Sequence, residues 1–466
     1  MNMFIKYSVI GILWLLVLTK LQSQSKPNIL FIPVDDLNHW VEFIKRNDQV
    51  KTPNLNRLVK RGVSFTKAYS PGTSCSPSRT AIMSGMRPST SGSYKNKDNW
   101  KDYVKEGTAL NHILKNNGYN TYATGKIYHN QNGDYPSGWT ENYRAKVKKH
   151  SSPNSKFKSK DRKSEGYSTI VKTTVTDTDI SDWYMVDYCK EKLMQKHDKP
   201  FFLACGFIKP HLPWIVPQKY YDMYPLEDIK IPPYLKNDLD DIPPTGKRIG
   251  YGVNEHKKIV ENNNWKIAVQ SYMATISYMD MNLGRLLDAV EESPYKDNLV
   301  IVLFGDHGWH LGEKSHWRKF TLWEEGSHTP LIWSIPGVTP KNKLCDKPVD
   351  LMSLFPTICE LAKISRPSYV EGTNIMPLLK NPNTLWDKVA ITTHDLNKHA
   401  IRSEHWRYIK YSNNSEELYN HKNDPYEFEN IAALPEMKFV KEKLKSYLPK
   451  TNTPSLPESK TTKRHK

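Results

Sequence analysis

Short apolar runs that are rich in β-branched and aromatic residues alternate along the chain with helix-like segments. Each run stops abruptly at polar, Gly or Pro residues, which is typical of a buried strand. The clearest runs cover residues 28–34, 119–123, 201–207 and 298–304. Helix-like segments lie between them, above all at 54–60, 109–116 and 265–291. Because strand and helix alternate, the pattern predicts an α/β domain with a mostly parallel sheet.

Residue types that bind metals or transfer protons follow each of the four predicted strands. Ligands of open α/β sheets collect beyond the carboxyl ends of the strands, so these positions are expected at one edge. One such residue has an ordinary explanation, such as an aspartate that caps a helix. The recurrence of such residues after four different strands indicates a functional site. The residues are Asp35 and Asp36, Lys126 and His129, Lys209 and His211, and Asp306 and His307.

The pattern changes towards the C-terminus. From about residue 393, short alternating runs predict a small antiparallel sheet with a terminal helix, and we place this C-terminal subdomain at 388–449. Residues 25–387 are the predicted catalytic domain. A Lys/Ser-rich stretch at 150–163 is typical of an exposed insertion, and the basic segment 450–466 is typical of a disordered tail.

Residues 1–24 have the layout of a secretory signal peptide. Lys6 precedes an apolar run over residues 7–19, and small or polar residues follow around Ser23. The run is short for a membrane span, and an uncleaved N-terminal anchor is the alternative. We therefore expect an exported protein, periplasmic or secreted, without a stable membrane anchor.

Composition and charge indicate a globular protein that binds polyanions. The chain has 466 residues, of which 38% are hydrophobic, so disorder is not expected. The formal net charge is +18; the leader contributes two charges and residues 450–466 a net four, which leaves +12 on the body. A basic body attracts nucleic acid, anionic membrane or anionic polysaccharide. For an exported protein we expect polysaccharide and no nucleic acid, although the charge could serve solubility alone.

The five cysteines are too few for a disulfide scaffold and lack the CxxC spacing of a zinc site. An odd number in an exported protein leaves at least one thiol to explain. The cysteines are Cys75, Cys189, Cys205, Cys345 and Cys359.

The most specific motif surrounds Cys75. The stretch Ser74-Cys-Ser-Pro-Ser-Arg-Thr80 contains Cys-x-Pro-Ser-Arg, and Gly85-Met-Arg-Pro88 follows it. Here the chain resembles the formylglycine-dependent sulfatases, a family of the alkaline-phosphatase-like superfamily. The alternative for Cys75 alone is a free buried thiol.

The resemblance covers nearly the whole mature chain, with its motifs in family order. Gly125-Lys-Ile-Tyr-His129, Lys209-Pro-His-Leu-Pro213 and the stretch from Gly305 to Glu313 look most similar to the iduronate-2-sulfatase-like branch. Asp306-His307 favours that branch, because many other sulfatases have Asp-Asn there. The resemblance implies an α/β/α sandwich with a mostly parallel central sheet and a small C-terminal subdomain with an antiparallel sheet.

The resemblance also implies that a separate formylglycine-generating enzyme oxidises Cys75 to 3-oxoalanine. A hydrated aldehyde suits sulfate-ester hydrolysis, because one hydroxyl attacks sulfur and the second can then expel sulfate. One calcium ion would be bound by Asp35, Asp36, Asp306, His307 and the modified Cys75. Carboxylate oxygens suit Ca²⁺, although a histidine ligand would equally suit a softer ion.

Further roles follow from the same resemblance. Arg79 would hold the diol, and Lys126 and Lys319 would clamp the sulfate oxygens. His129 would be the base that expels sulfate, and His211 the acid that protonates the departing sugar oxygen. Taken singly, each of these residues has an ordinary polar role, and only its position in a matched motif singles it out.

The expected substrate is a sulfated polysaccharide or its oligosaccharides, such as a 2-O-sulfated uronate of a glycosaminoglycan or of an algal polymer, with ulvan degradation as the favoured case. Two alternatives stay open: a phosphomonoester or phosphodiester hydrolase of the same fold, which needs further metal ligands, and a non-catalytic polysaccharide-binding protein. Residues 38–40, His310, His316 and Trp317 are expected at the same rim, where they could bind sugar or serve packing.

Overall fold

The computed structural model describes residues 26–129, 135–145, 175–249 and 252–457. The predicted leader, the insertion at 150–163 and residues 458–466 lie outside the described residues. Among the helices that are described, none combines the length and the apolar character needed to span a bilayer. Export therefore stays a prediction.

The described strands form one large sheet, one small sheet and a short ribbon. The large sheet comprises β1 Asn28–Val34, β2 Val63–Tyr69, β3 Asn120–Gly125, β4 Glu141–Tyr143, β5 Phe201–Gly206, β6 Leu299–Gly305, β9 His328–Ser334, β10 Lys343–Cys345 and β11 Val349–Asp350. The ribbon pairs β7 His310–Leu311 with β8 Trp317–Arg318. The small sheet comprises β12 Ala390–Asp395, β13 Lys398–Arg402, β14 Trp406–Lys410 and β15 Glu416–Asn420.

The large sheet runs in the order β10-β2-β9-β6-β1-β5-β3-β4, with β11 also paired to β2. Strand β9 is antiparallel to β2 and β6. The other pairs are parallel. This arrangement confirms the mostly parallel sheet.

Helices cover both faces of the large sheet and the outer side of the small one. They are α1 Pro53–Val59, α2 Cys75–Ser84, α3 Pro88–Ser91, α4 Leu110–Asn116, α5 Ser181–Met194, α6 Gln218–Tyr221, α7 Pro244–Arg248, α8 Gly252–Glu261, α9 Trp265–Glu292, α10 Glu324–Ser327, α11 Leu354–Leu361, α12 Met376–Lys380 and α13 Lys438–Lys445.

Strand β1 shows how the sheet separates two apolar layers. All seven of its residues are buried. Leu30 and Ile32 belong to the apolar cluster that contains much of α9, whereas Ile29 and Phe31 belong to the cluster that contains residues of α2, α4 and α11. Successive side chains of a strand point to opposite faces, so a strand that is apolar throughout needs cover on both sides. The predicted α/β/α sandwich is confirmed.

The small sheet is antiparallel throughout, as the sequence predicts. Its Arg407 is fully buried and forms ion pairs with Glu324 of α10 and with Glu427. Removing one partner of a buried ion pair leaves an uncompensated charge, at a typical cost of about 3–5 kcal/mol. These contacts join the small sheet firmly to the large one.

The segment after residue 449 differs from the sequence prediction of a disordered tail. Residues 450–457 are described, and Thr453 donates its backbone N–H to Ser89 O at 2.8 Å and its hydroxyl to Thr90 O at 2.8 Å. The Tyr94 hydroxyl donates to Thr453 O at 2.7 Å. These three hydrogen bonds hold this part of the predicted tail against α3, which composition alone did not indicate.

Candidate active site

The carboxyl ends of three central strands bring the predicted site residues together. Beyond the strand ends, backbone hydrogen bonds continue the ladder: Asp35 N–H donates to Phe207 O at 3.1 Å, Asp306 N–H to Val34 O at 3.1 Å and Lys126 N–H to Gly206 O at 2.9 Å. Each residue is therefore fixed by its neighbouring strand, and their side chains meet at one edge of the sheet.

Helix α2 brings Cys75 to this edge. Cys75 is its first residue, Ser74 before it is extended, and all ten helical residues are buried. Gly85 ends the helix with φ 75°, a conformation that glycine adopts readily. The Cys75 Sγ lies 3.0 Å from Lys319 Nζ and 3.2 Å from His307 Nε2.

Three carboxylates and His307 surround the thiol. Ligand atoms of Asp35, Cys75, Asp306 and His307 lie within 4.8 Å of one another, and the same holds for Asp35, Asp36, Cys75 and His211. Within the described residues, the buried Asp36 Oδ2 has no hydrogen-bond partner. A buried carboxylate oxygen without a partner is costly unless a cation completes it.

The tautomer of His307 also fits a cation. Its Nδ1 lies 2.9 Å from Gly308 O, which can only accept, so Nδ1 carries the proton. Nε2 therefore directs a lone pair towards Asp36 Oδ1 at 3.3 Å and Asp306 Oδ1 at 3.5 Å. This donor set of carboxylate oxygens and one imidazole nitrogen suits a divalent metal ion.

Asp36 is held in a strained conformation by two hydrogen bonds. Its φ is 61°, which is uncommon for residues other than glycine and marks functional sites. Its N–H donates to Asp306 Oδ1 at 3.0 Å, and its carbonyl accepts the Tyr272 hydroxyl at 2.7 Å. Tyr272 lies on α9, and neither its spacing nor its neighbours in the sequence indicated this role.

Arg79 and Lys126 neutralise the carboxylates. Arg79 Nε donates to Asp306 Oδ2 at 2.7 Å, and Lys126 Nζ lies 2.6 Å from Asp35 Oδ2. Burial raises the pKa of Asp35, but the charges of Lys126, Arg79 and His211 together outweigh burial, so this pKa lies below its usual value. Contact of Arg79 with the diol, which the resemblance implies, stays a prediction; here the guanidinium forms ion pairs with Asp35 and Asp306.

Lys319 reaches the centre from the segment after β8. Its flanking residues Arg318 and Phe320 have φ 69° and 80°, and Phe320 N–H donates to Thr73 O at 2.9 Å. The Lys319 Nζ lies 2.5 Å from Asp36 Oδ1. Burial raises the pKa of Asp36, but the charges of Lys319, His211 and His307 together outweigh burial, so the pKa lies below its usual value. Burial raises the pKa of the Cys75 thiol to about 12, with Asp35 as the next cause.

The two predicted acid–base histidines are more accessible than the metal-ligand candidates. Burial, followed by the charge of Lys126, lowers the pKa of His129 to about 4, so His129 is neutral near pH 7. The His211 side chain is 37% exposed, and its Nε2 lies 3.8 Å from Asp36 Oδ2. Its Nδ1 donates to Leu212 O at 2.6 Å. Buried Lys209 supports this loop, because its Nζ donates to His211 O at 3.4 Å.

The residues expected at the rim are instead interior. His310 and His316 are fully buried, with Nε2 atoms 2.6 Å from Thr321 Oγ1 and 2.8 Å from Ile249 O. Trp317 is also buried and donates from Nε1 to His256 at 3.1 Å. Residues 38–40 are buried as well. The spacing of these residues in the sequence did not indicate that they are buried. They have packing roles.

A further acidic group lies near α10 rather than at this edge. Glu324, His421 and Glu427 offer ligand atoms within 4.8 Å of one another. Arg402 and Arg407 form ion pairs with Glu324, so its charge is already compensated. This cluster is part of the contact between the two sheets.

Comparison with known proteins agrees with these features. Residues 27–364 match the sulfatase family, and residues 312–453 match the C-terminal region of N-sulphoglucosamine sulphohydrolase. A sulfatase of Formosa agariphila is 38% identical over 92% of this chain and 87% of its own length. The human iduronate 2-sulfatase is 28% identical over 77% of this chain and 75% of its own length. An ulvan-active sulfatase of Formosa agariphila is 25% identical over 91% of this chain and 81% of its own length.

Solved structures share the fold. A protein in complex with its substrate D-glucosamine-2-N,6-O-disulfate has a TM-score of 0.72 at 20% identity, over 91% of this chain and 96% of that one. A phosphonate monoester hydrolase from Silicibacter pomeroyi has a TM-score of 0.75 at 19% identity, over 90% of this chain and 94% of that one. The predicted resemblance to sulfatases and to iduronate 2-sulfatases is confirmed, and the chain belongs to the sulfatase family, which makes it a sulfuric ester hydrolase.

Proposed function

We propose that the protein hydrolyses sulfate esters of a sulfated carbohydrate, with a formylglycine made from Cys75 as nucleophile. The observation that carries this proposal is the position of the Cys75 Sγ, which lies 3.0 Å from Lys319 Nζ and 3.2 Å from His307 Nε2 beside three carboxylates. The thiol stands in for an oxygen of the hydrated aldehyde. Lys319 places positive charge beside an attacking oxygen there, and a cation held by the carboxylates would add more, as an anionic transition state needs.

One divalent cation, which we infer to be calcium, belongs to the same site. Asp35, Asp36, Asp306 and His307 would hold it together with the modified Cys75, because Asp36 Oδ2 has no hydrogen-bond partner and the Nε2 lone pair of His307 lies 3.2 Å from the thiol. When bound, it supplies positive charge beside the nucleophile and a sulfate oxygen. The predominance of carboxylate oxygens favours calcium over softer ions.

The oxidation of Cys75 has to precede folding. Cys75 is 1% exposed and lies on a helix whose residues are all buried. A modifying enzyme cannot reach the thiol in this fold, so a formylglycine-generating enzyme would act on the extended chain. Unmodified protein would keep a protonated thiol, which is a poor nucleophile.

The proposed reaction has two steps: transfer of the sulfate group from the sugar to the diol, and release of sulfate from the diol. One diol hydroxyl attacks sulfur and passes its proton to one of the neighbouring carboxylates, the sulfur–oxygen bond to the sugar breaks, and His211 protonates the sugar oxygen. His129 next accepts the proton of the second hydroxyl, the carbon–oxygen bond to sulfate breaks, and the aldehyde returns. His129 is suited to this role because its low pKa keeps it neutral and able to accept a proton. Lys126 and Lys319 would hold the sulfate oxygens.

A sulfated polysaccharide or its oligosaccharides are the proposed substrate class. The body of the chain carries a net charge of +12 without the predicted leader and residues 450–466, which favours a polyanionic partner. The relatives of this chain include an iduronate 2-sulfatase and an ulvan-active sulfatase. We therefore propose a sulfated uronate or a related sugar of such a polymer, with ulvan degradation as the first case to test. Degradation of an external polymer agrees with the proposed export.

A product assay tests this function. Oligosaccharides of ulvan, carrageenan and glycosaminoglycans are incubated with protein whose Cys75 peptide has been shown by mass to contain formylglycine, and sulfate release is measured with calcium and after chelation. We expect release with calcium only.

The same assay addresses the phosphoester alternative. Phosphate monoesters, phosphate diesters and phosphonate esters are offered under the same conditions. Faster phosphate or phosphonate release, with no sulfate release from any oligosaccharide, would overturn the proposal.

A further inference from the structure

A cleft of about 880 Å³ opens beside the candidate active site. Its walls are formed by the residues that precede Cys75, the loop 94–97 after α3, helix α7, Phe320, and the hairpin tips of the small sheet. Thr73 and Ser74 line it immediately before Cys75, and Phe320 lines it immediately after Lys319. Adjacent Cα atoms are about 3.8 Å apart, so the cleft begins within one or two residues of the proposed nucleophile.

The walls are fixed relative to Cys75. The Ser76 N–H donates to Asn96 Oδ1 at 2.9 Å, which ties the loop 94–97 to α2. Thr393 N–H donates to Pro71 O at 2.9 Å, and Thr73 Oγ1 lies 2.8 Å from His394 Nδ1. These bonds hold the small sheet against the chain that leads into Cys75, so a ligand in the cleft has a defined position relative to the nucleophile.

The lining is strongly basic and rich in hydrogen-bonding groups. The lining contains four cationic side chains and one carboxylate. The carboxylate belongs to Asp395, which is itself paired with Lys398 at 3.3 Å. The cations are Lys95, Lys97, Arg248 and Lys398. Tyr94, Asn96 and Asn413 add groups that can bond sugar hydroxyls. Arg248 is exposed, and its guanidinium can bind a carboxylate or sulfate through two parallel hydrogen bonds.

We infer that this cleft binds a second acidic sugar residue of the substrate, next to the one whose sulfate is removed, with Arg248 and Lys95 contacting its carboxylate or sulfate. The inference rests on the proposed function and narrows it. The preferred substrate is then an anionic oligosaccharide of at least two residues, and the small sheet takes part in substrate binding.

Binding and turnover of the double variant Arg248→Gln, Lys95→Gln test this assignment. The probes are a sulfated disaccharide that carries a uronate carboxylate, and 4-nitrophenyl sulfate, which has a single anionic group. In the Cys75→Ala protein, which lacks the nucleophile, we expect the double change to weaken disaccharide binding by roughly tenfold at low salt. In active protein, KM for the disaccharide should rise by a similar factor with little change in kcat.

The salt dependence gives a second readout. Disaccharide affinity should fall as sodium chloride is raised, and this dependence should be weaker in the double variant because two screened charges are gone. Arg366→Gln together with Lys380→Gln is the matched control, since both residues are exposed cations outside the cleft. The control should retain the wild-type affinity and salt dependence.

The outcomes separate the two proposals. If the disaccharide binds the double variant as tightly as it binds the control, the cleft assignment is wrong, whether or not sulfate is released. If active protein releases sulfate from neither probe, the proposed function is contradicted, while the binding comparison in Cys75→Ala still decides whether the cleft holds an acidic sugar.

Discussion

At the scale of single residues, the candidate site depends on how Asp36 is held. Its side chain contributes the unpartnered Oδ2, while its strained backbone is fixed by Asp306 on one side and by the Tyr272 hydroxyl on the other. The hydroxyl also accepts the N–H of Asn38 at 2.9 Å, so a single side chain of α9 orients the turn after β1. Groups that orient metal ligands commonly affect affinity as strongly as the ligands themselves.

Tyr272→Phe therefore tests the support of the proposed metal site. Loss of the hydroxyl frees the Asp36 carbonyl and is expected to weaken calcium binding by roughly tenfold, within the range seen for such groups. Calcium titration by calorimetry measures this directly. Tyr278→Phe is the control, because this hydroxyl on the same helix bonds Asp177 O at 3.0 Å, away from the site. Equal calcium affinity in the two variants would contradict the role of Tyr272.

Motif resemblance identified Cys75, Arg79 and Lys319, whereas strand ends identified a second group of site residues from the pattern alone. Asp35, Lys126 and Asp306 directly follow apolar strands, so the position of their side chains follows from strand direction. Tyr272 and Arg248 come to the site from helices far along the chain, and only the packing of those helices places them. His310 and His316 lie near the same edge in sequence but point inward, which residue type cannot indicate.

At the scale of elements, the end of β3 shows how the backbone sets a side chain. Gly125 has φ 75°, and a Cβ added there would lie 2.1 Å from Gly206 O on the neighbouring strand β5. The close approach lets Lys126 N–H bond Gly206 O at 2.9 Å and directs Lys126 to Asp35. Both the conformation and the space at this position require glycine.

Gly125→Ala is expected to destabilise the protein by roughly 2–5 kcal/mol, because a left-handed conformation and an overpacked contact are both costly. Gly118→Ala is the control. Gly118 has φ 91° with nothing within 4 Å of an added Cβ, so this change should cost only about 1–2 kcal/mol. Urea unfolding in the presence of chelator compares the two. If Gly125→Ala lowers the free energy of unfolding no more than Gly118→Ala does, the close approach of β3 and β5 does not require glycine at position 125.

Strands were predicted correctly where burial on both faces of the sheet produces a continuous apolar run in the sequence. The run 28–34 coincides with β1, the run 201–207 is one residue longer than β5, and the run 298–304 is displaced from β6 by one residue at each end. Strands β2 and β9 were not predicted. Val63–Tyr69 contains half-buried Thr66 and Lys67, and His328–Ser334 begins with His-Thr-Pro. An apolar run of the kind that marks a central strand is absent from both sequences.

At the scale of the whole molecule, each of the two sheets contains a buried histidine whose protonation changes when the protein unfolds. His328 is the first residue of β9 in the large sheet and pairs with Glu324, and His399 of β13 in the small sheet bonds Asn452. Burial, with His39 as the next cause, lowers the pKa of His328 to about 4. Burial also lowers the pKa of His399 to about 4, against the opposing hydrogen bond of Asn452.

These shifts predict that stability falls on acidification. A histidine whose folded pKa lies below its unfolded value of about 6.5 binds more protons in the unfolded chain than in the folded one. Its contribution to the free energy of unfolding is therefore complete above about pH 6.5 and is lost as the pH falls towards about 4. The urea midpoint of chelated protein should fall between pH 6.5 and pH 4.5, before most carboxylates titrate. His399→Asn should show a shallower fall. A midpoint that stays constant or rises over this interval would show that these histidines are not buried in the neutral form.

The central claim is that sulfate release depends on a formylglycine at position 75, and one measurement tests it most directly. Preparations with different fractions of modified Cys75, produced with and without a formylglycine-generating enzyme, are quantified by peptide mass and assayed for sulfate release with calcium. The rate is predicted to be proportional to the modified fraction and to vanish in Cys75→Ala. Full activity in unmodified protein or in Cys75→Ala would contradict the account.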